Sequence, residues 1–140
     1  MERTDYTTQA EALFGRFAER HGLAYEVTPD APVEVLWTFP KQRKLSMPVT
    51  LGLQNSDELN FGVSDFWSYF FPFDAKAEDF ERAIDAWVSG HARIAVERGS
   101  GRKLQLREGD NWVTIYGANG CLLPLPTKPV RFEMNQPVGE

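Results

Sequence analysis

The chain has 140 residues, 42% of them hydrophobic and 25% charged, and a formal net charge of -5 at neutral pH. This length is typical of a single domain that folds without disulfides or bound metals. The acidic charge disfavours a nucleic-acid-binding protein, because a phosphate backbone is usually met by a basic face. The sequence has neither a run of about 18 apolar residues nor an apolar signal-peptide run at its N-terminus. We therefore expect a cytoplasmic protein without membrane contact.

The motifs of common enzyme classes are absent from the sequence. It has no glycine-rich nucleotide loop, no serine-hydrolase elbow and no zinc-protease pattern. Cys121 is the single cysteine, which excludes an internal disulfide and a cysteine-rich zinc site. We predict no cofactor, no metal and no catalytic residue, and we favour a protein that is not an enzyme.

The first predicted element is an amphipathic helix over residues 7–22. Thr8 and Glu11 have the spacing of a capping box, and Gly22 suits a left-handed helix end. The apolar positions of this helix recur at helical spacing: Ala10, Leu13, Phe14 and Phe17.

The next four apolar runs alternate with a period of two, which predicts half-buried β-strands. These runs are LAYEV (23–27), VEVLWTF (33–39), LSMPVTLGLQ (45–54) and LNFGV (59–63). Pro48 has no backbone donor, so it belongs at an edge, at a bulge or at the beginning of its strand. Four strands in series favour an antiparallel meander.

A second amphipathic helix is predicted after the aromatic stretch, with Asp74 as its N-cap and Gly90 at its end. His91 follows that end, and His21 ends the first helix, so a favourable interaction with the helix dipole explains both. Three alternating runs follow: ARIAVE (92–97), RKLQLRE (102–108) and NWVTIYG (111–117). Residues 122–140 contain four prolines and are predicted to be an extended tail that packs partly on a domain of residues 1–121.

The order helix, four strands, helix, three strands predicts an α+β fold, since no strand–helix–strand alternation requires a parallel sheet. We expect a curved antiparallel sheet of about seven strands, with both helices packed on its apolar face.

The stretch DFWSYFFPFD, from Asp65 to Asp74, holds six aromatic residues. In an extended conformation, successive side chains point to opposite faces. One set is then Phe66, Ser68 and Phe70, and the other is Trp67, Tyr69 and Phe71. Either both sets are buried, or Trp67 and Tyr69 stay partly exposed as binding anchors. Asp65 is the one carboxylate here without an evident structural role.

No family motif is recognised. In size, acidic charge and helix-first order, the chain resembles small acidic partner proteins such as toxin-neutralising immunity proteins and secretion chaperones, a likeness of class that carries no residue roles. We predict a non-enzymatic protein-binding module, with an acidic surface for a basic protein partner and with Trp67 and Tyr69 as anchors. The alternative is a small-molecule-binding protein or a modest hydrolase, with a pocket formed by Asp65, Tyr69 and His91 beside the aromatic run at residues 66–71. The oligomeric state is left open.

Overall fold

The computed structural model describes residues 5–99, 101–118 and 129–137, which form two α-helices and nine β-strands. The helices are α1 (Thr7–His21) and α2 (Phe73–Ser89). The strands are β1 (Glu26–Val27), β2 (Val35–Phe39), β3 (Val49–Gln54), β4 (Glu58–Val63), β5 (Phe66–Trp67), β6 (Ala92–Glu97), β7 (Arg102–Glu108), β8 (Asn111–Ala118) and β9 (Pro129–Glu133).

The strands form two antiparallel sheets, ordered β1-β2-β3-β4-β5 and β8-β7-β6-β9. The α+β class and the antiparallel pairing are confirmed. In place of the predicted single sheet of about seven strands, each meander gains one strand and remains a separate sheet. Pro48 directly precedes the first residue of β3, one of the positions predicted for it.

The two additional strands come from segments that the sequence did not mark as strands. After a turn at Ser64 and Asp65, the aromatic run folds back on β4, so that Val63 pairs with Phe66 and Gly62 with Trp67. Pro129–Glu133, in the predicted tail, pairs with β6. Residues 122–128 and 138–140 of that tail lie outside the described residues, as does Cys121.

Both helices end at the predicted glycines. Gly22 has a φ of 62° and Gly90 a φ of 80°, the left-handed conformation that glycine adopts without a steric penalty. The backbone N–H of His91 donates to Ala86 O at 2.8 Å, which completes the end of α2. The side chain of His21 instead contacts Asp85 of the other helix, with 2.7 Å between Nε2 and Oδ1.

The predicted helix N-caps are wrong. In α1, the backbone N–H of Thr7 donates to Asp5 Oδ1 at 2.8 Å, and Thr8 already lies inside the helix. In α2, the helix begins at Phe73, whose N–H donates to Asp57 Oδ1 at 2.7 Å. Asp74 therefore lies within the first turn, where a carboxylate still interacts favourably with the helix dipole.

The two helices differ in what they cover. Helix α1 packs on β2 and β3 of the five-stranded sheet, whereas α2 contacts both β4 and β6 and therefore joins the two sheets. Trp87 of α2 is fully buried, with its ring 5.9 Å from that of Phe61 in β4. Phe14 and Phe80 connect the helices, at 6.0 Å between ring centroids. Within the described residues, no helix is long and apolar enough to cross a membrane.

Candidate functional site

Trp67, Tyr69 and Phe71 form a row of outward-facing rings, which we call the aromatic row. Tyr69 is 47% exposed and Phe71 is 52% exposed, while Trp67 is partly exposed. The intervening side chains are all buried: Phe66, Ser68 and Phe70. The predicted alternation of the run is confirmed, and its outward set is partly exposed.

The buried side chains hold the aromatic row in place. Phe70 stacks on Tyr116 of β8 at 5.6 Å and meets Phe80 of α2 edge-on at 5.5 Å. The Ser68 hydroxyl accepts a hydrogen bond from the N–H of Phe61 and donates one to its carbonyl, each at 3.1 Å. These buried contacts fix the backbone of the segment that carries the exposed rings.

The aromatic row follows the edge of the five-stranded sheet at β5, and no further strand of the described residues pairs with that edge. Phe70 exchanges two backbone hydrogen bonds with Leu59, at 2.7 and 3.0 Å, so the run continues to pair with β4 beyond β5. The N–H and C=O groups of Tyr69, between these paired positions, have no backbone partner among the described residues. An edge of this kind presents free donors and acceptors to a second chain.

Carboxylates surround the C-terminal end of the aromatic row. Asp57 accepts the N–H of Phe73, and Asp74 accepts the hydroxyl of Tyr6 at 2.6 Å. This hydrogen bond from the phenol to Asp74 is the main cause that raises the pKa of Tyr6 to about 12. Glu34 lies nearby, because its Oε2 accepts the N–H of Ser56 at 3.1 Å. This end of the row is therefore acidic.

Asp65 has a structural role that the sequence did not reveal. Arg102 of β7 donates to it twice, from Nε to Oδ1 at 3.0 Å and from Nη2 to Oδ2 at 2.6 Å. The pair joins the β4–β5 turn of one sheet to the other sheet. The hydrogen bonds from Arg102 lower the pKa of Asp65, and in return they raise the pKa of Arg102.

We expect Asp65→Asn to reduce the free energy of unfolding by about 1 kcal/mol or less near neutral pH, because the carboxylate is 54% exposed and water weakens the pair. The folded-state pKa lies below the ordinary value of 3.8. The pair therefore stabilises the fold above that value, and this contribution is lost as the pH falls through the folded-state pKa. Urea unfolding at neutral and acid pH measures the difference between wild type and variant. An equal difference at both pH values contradicts the assignment.

His91 lies in a surface groove of about 360 Å³ between the C-terminal half of α2 and the β6–β7 hairpin. The groove is lined by Arg82, Asp85, Ala86, Ser89, His91, Leu106, Arg107 and Glu108. Neither Asp65 nor Tyr69 lines it.

Asp65, in the β4–β5 turn of the five-stranded sheet, and His91 lie near opposite ends of β6 in the four-stranded sheet. Asp65 bonds Arg102, which pairs with Val96, whereas His91 directly precedes Ala92. Val96 is therefore five residue steps from His91, and five steps along a strand span about 16 Å. Asp65 is therefore next to the aromatic row because it precedes the row in the sequence. His91 lies elsewhere, and the structure does not bring these two residues together.

A second cluster, which the sequence did not indicate, lies on the outward face of the four-stranded sheet. Arg93 of β6 lies over the rings of Trp112 and Phe132, and its Nε donates to Gln105 Oε1 at 2.7 Å. Arg93 and Gln105 occupy outward positions of their alternating runs. This shared face is the one feature of the sequence that could have indicated the cluster. Phe132 came from a segment without a predicted strand, so the sequence could not place it here.

The described residues contain no group of three or more His, Cys, Asp or Glu side chains arranged to hold a metal ion. Comparisons of the chain with protein-family models, with curated proteins and with solved structures find no match.

Proposed function

We propose that the protein is a non-enzymatic protein-binding module that contacts a basic protein partner through the aromatic row. The observation that carries this proposal is the exposure of adjacent large rings on an open sheet edge, with Tyr69 and Phe71 each about half exposed. Aromatic side chains dominate the energetics of protein interfaces, because one ring buries a large area with few rotatable bonds.

The fixed backbone of the row favours binding. Phe66 and Phe70 pack against Tyr116 in the core, and the Ser68 hydroxyl is bonded to the backbone of β4. A surface already ordered in the free protein loses little conformational entropy when a partner binds. The row is thus suited to recognition without rearrangement.

The sheet edge and its charges define the kind of partner segment that fits. An extended segment can pair with the free N–H and C=O of Tyr69 and so add a strand beside β5. Asp57, Glu58 and Asp74 at the end of the row favour lysine or arginine side chains in that segment. The proposed ligand is therefore an extended, basic segment with apolar side chains that cover the rings.

The pocket hypothesis, with a small-molecule ligand or a hydrolytic reaction, has less support. It requires Asp65 and His91 in one concavity, yet Asp65 is bonded to Arg102 at one end of the β6–β7 pair and His91 lies at the other end. The predicted cytoplasmic location stays a prediction.

The decisive experiment is affinity capture from a cell lysate with immobilised full-length protein, followed by measurement of the direct affinity for the captured partner. We expect the double variant Trp67→Ala, Tyr69→Ala to weaken that affinity at least about 30-fold, because truncating interface aromatics costs about 2 kcal/mol or more. The bound partner should be basic and should protect the Tyr69 amide from hydrogen exchange.

The matched control is Val27→Ser, since Val27 is 55% exposed on β1, the opposite edge strand of the same sheet. This control should retain the full affinity. Unfolding curves establish that both variants are folded. Equal affinity of a folded double variant and wild type contradicts the proposal, as does an equal loss in the Val27→Ser control.

A further inference from the structure

The outward face of the four-stranded sheet is locally basic, although the chain carries a net charge of -5. The core side of β6 and β7 holds buried apolar residues, and the alternate positions point to the other face, where Arg93 is partly exposed while Ala95 and Glu97 are buried. These positions supply three cations and one carboxylate: Arg93, Lys103, Arg107 and Glu97. Glu97 is neutralised by Lys103, with 3.2 Å between Oε2 and Nζ.

Arg93 is held between two aromatic rings on this face. Its Cζ lies 4.2 Å from the ring centroid of Trp112 in β8 and 3.8 Å from that of Phe132 in β9. Because β8 and β9 lie on opposite sides of β6 in the sheet, the rings approach the guanidinium from opposite sides. Rings over the faces of a guanidinium leave its hydrogen-bonding edges open.

Hydrogen bonds fix the rotation of the guanidinium. Arg93 Nε donates to Gln105 Oε1 at 2.7 Å, and Gln105 Nε2 donates in turn to Thr114 Oγ1 at 3.1 Å. The two terminal nitrogens of Arg93 have no acceptor among the described residues. The edge formed by Nη1 and Nη2 is therefore held in a defined orientation with its donors unused.

The charge of Arg93 is not compensated by a neighbour. Partial burial lowers its pKa, and no ion pair joins it to a carboxylate in the described parts of the chain. The guanidinium remains charged at physiological pH regardless. A positive group that is partly desolvated and has free donors interacts strongly with an incoming anion.

We propose that Arg93 is a carboxylate-binding site, in which Nη1 and Nη2 bind an aspartate or glutamate side chain of an acidic peptide end-on. Trp112 and Phe132 then flank the site, and the planar fork of Arg93 matches a planar carboxylate, which accepts two parallel hydrogen bonds. This site is on the other sheet from the aromatic row and does not depend on the function proposed for that row.

The test is an NMR titration of full-length protein at constant ionic strength, observing the indole N–H resonance of Trp112, which lies against Arg93 and is retained in every variant below. The probes are an acetylated tri-glutamate peptide, the matching tri-glutamine peptide and inorganic phosphate. We expect the tri-glutamate peptide to shift this resonance and to bind at least about fivefold more tightly than either other probe, because a bidentate charge-assisted pair is strong and directional. Equal binding of the tri-glutamine peptide overturns the proposal, and tighter binding of phosphate overturns the choice of a carboxylate.

Two variants distinguish the contribution of the bidentate hydrogen bonds of Arg93 to the affinity from that of positive charge alone. Arg93→Lys keeps the charge but loses the planar fork, so we expect about tenfold weaker binding of the tri-glutamate peptide. Arg107→Gln removes an exposed cation from the same face without breaking the Lys103–Glu97 pair, and it should weaken binding less than about twofold. Unchanged affinity in Arg93→Lys, or an equal loss in both variants, overturns the assignment.

A third variant keeps the test decisive if Arg93→Lys unfolds. Phe132→Leu retains Arg93 and removes one aromatic wall, and it should weaken binding about threefold, because one cation–π contact that holds the fork is lost. A folded Phe132→Leu protein with unchanged affinity for the tri-glutamate peptide contradicts the proposed site.

Discussion

Replacing Trp87 by alanine is expected to lower the free energy of unfolding by about 3–5 kcal/mol, the range for removal of a large buried ring. Trp87 is 1% exposed and packs edge-on against Phe61. Helix α2 contacts both β4 and β6. The alanine variant therefore leaves a cavity at the place where α2 packs against both sheets. Denaturant unfolding, followed by both circular dichroism and fluorescence, measures the loss and should show one cooperative transition.

Trp87→Phe is the matched control for this prediction. The Nε1 atom of Trp87 is buried and has no hydrogen-bond partner in the described part of the chain. An unsatisfied buried donor costs about 1–3 kcal/mol, so removing it with part of the ring offsets some of the lost packing. We expect the phenylalanine variant to lose less than about half of what the alanine variant loses. Equal losses in the two variants contradict this account of the indole nitrogen.

Gly62→Ala is expected to move the ring of Trp67 and to lower the free energy of unfolding by about 1–3 kcal/mol, the usual cost of overpacking. A Cβ on Gly62 would lie 2.6 Å from Trp67 Cζ3 and closer still to Cε3. Gly62 has no positive φ, so the effect is a steric one between side chains across the β4–β5 pair. If the aromatic row binds a partner as proposed, the displaced Trp67 ring should also weaken that binding.

The control for Gly62→Ala is Gly117→Ala in β8. A Cβ on Gly117 would lie 3.9 Å from Lys103 Cγ, an ordinary contact, so this variant should stay within about 0.5 kcal/mol of wild type. Denaturant unfolding gives both values, and the indole N–H resonance of Trp67 reports its displacement. An unmoved Trp67 resonance in a folded Gly62→Ala protein contradicts the close contact between β4 and β5.

Two features that depend on neighbouring residues were predicted well, although the local capping box of α1 was not. Gly22 and Gly90 end the two helices as expected, because a left-handed residue after a helix needs only local conformation. The alternation within residues 66–71 was also predicted, since side chains in extended chain point alternately to opposite faces. The choice of outward rings followed from this alternation alone.

Features that depend on distant partners were missed. Asp65 has no local explanation because its partner Arg102 is 37 residues away. Asp57 caps α2 from 16 residues upstream, so Asp74, the best local candidate, was chosen in its place. Strand β9 pairs with β6 across a long separation, and its proline obscured any strand signal.

The sequence by itself determined the two helices, seven of the nine strands, and the inward and outward sets of the aromatic run, because all of these follow from backbone periodicity. Only the tertiary structure decided that the strands divide into two sheets, that Tyr69 and Phe71 stay exposed, and that Arg93 meets Trp112 and Phe132. Exposure depends on which segments pack over a face, and that in turn depends on hydrogen bonds and contacts between residues far apart in the chain.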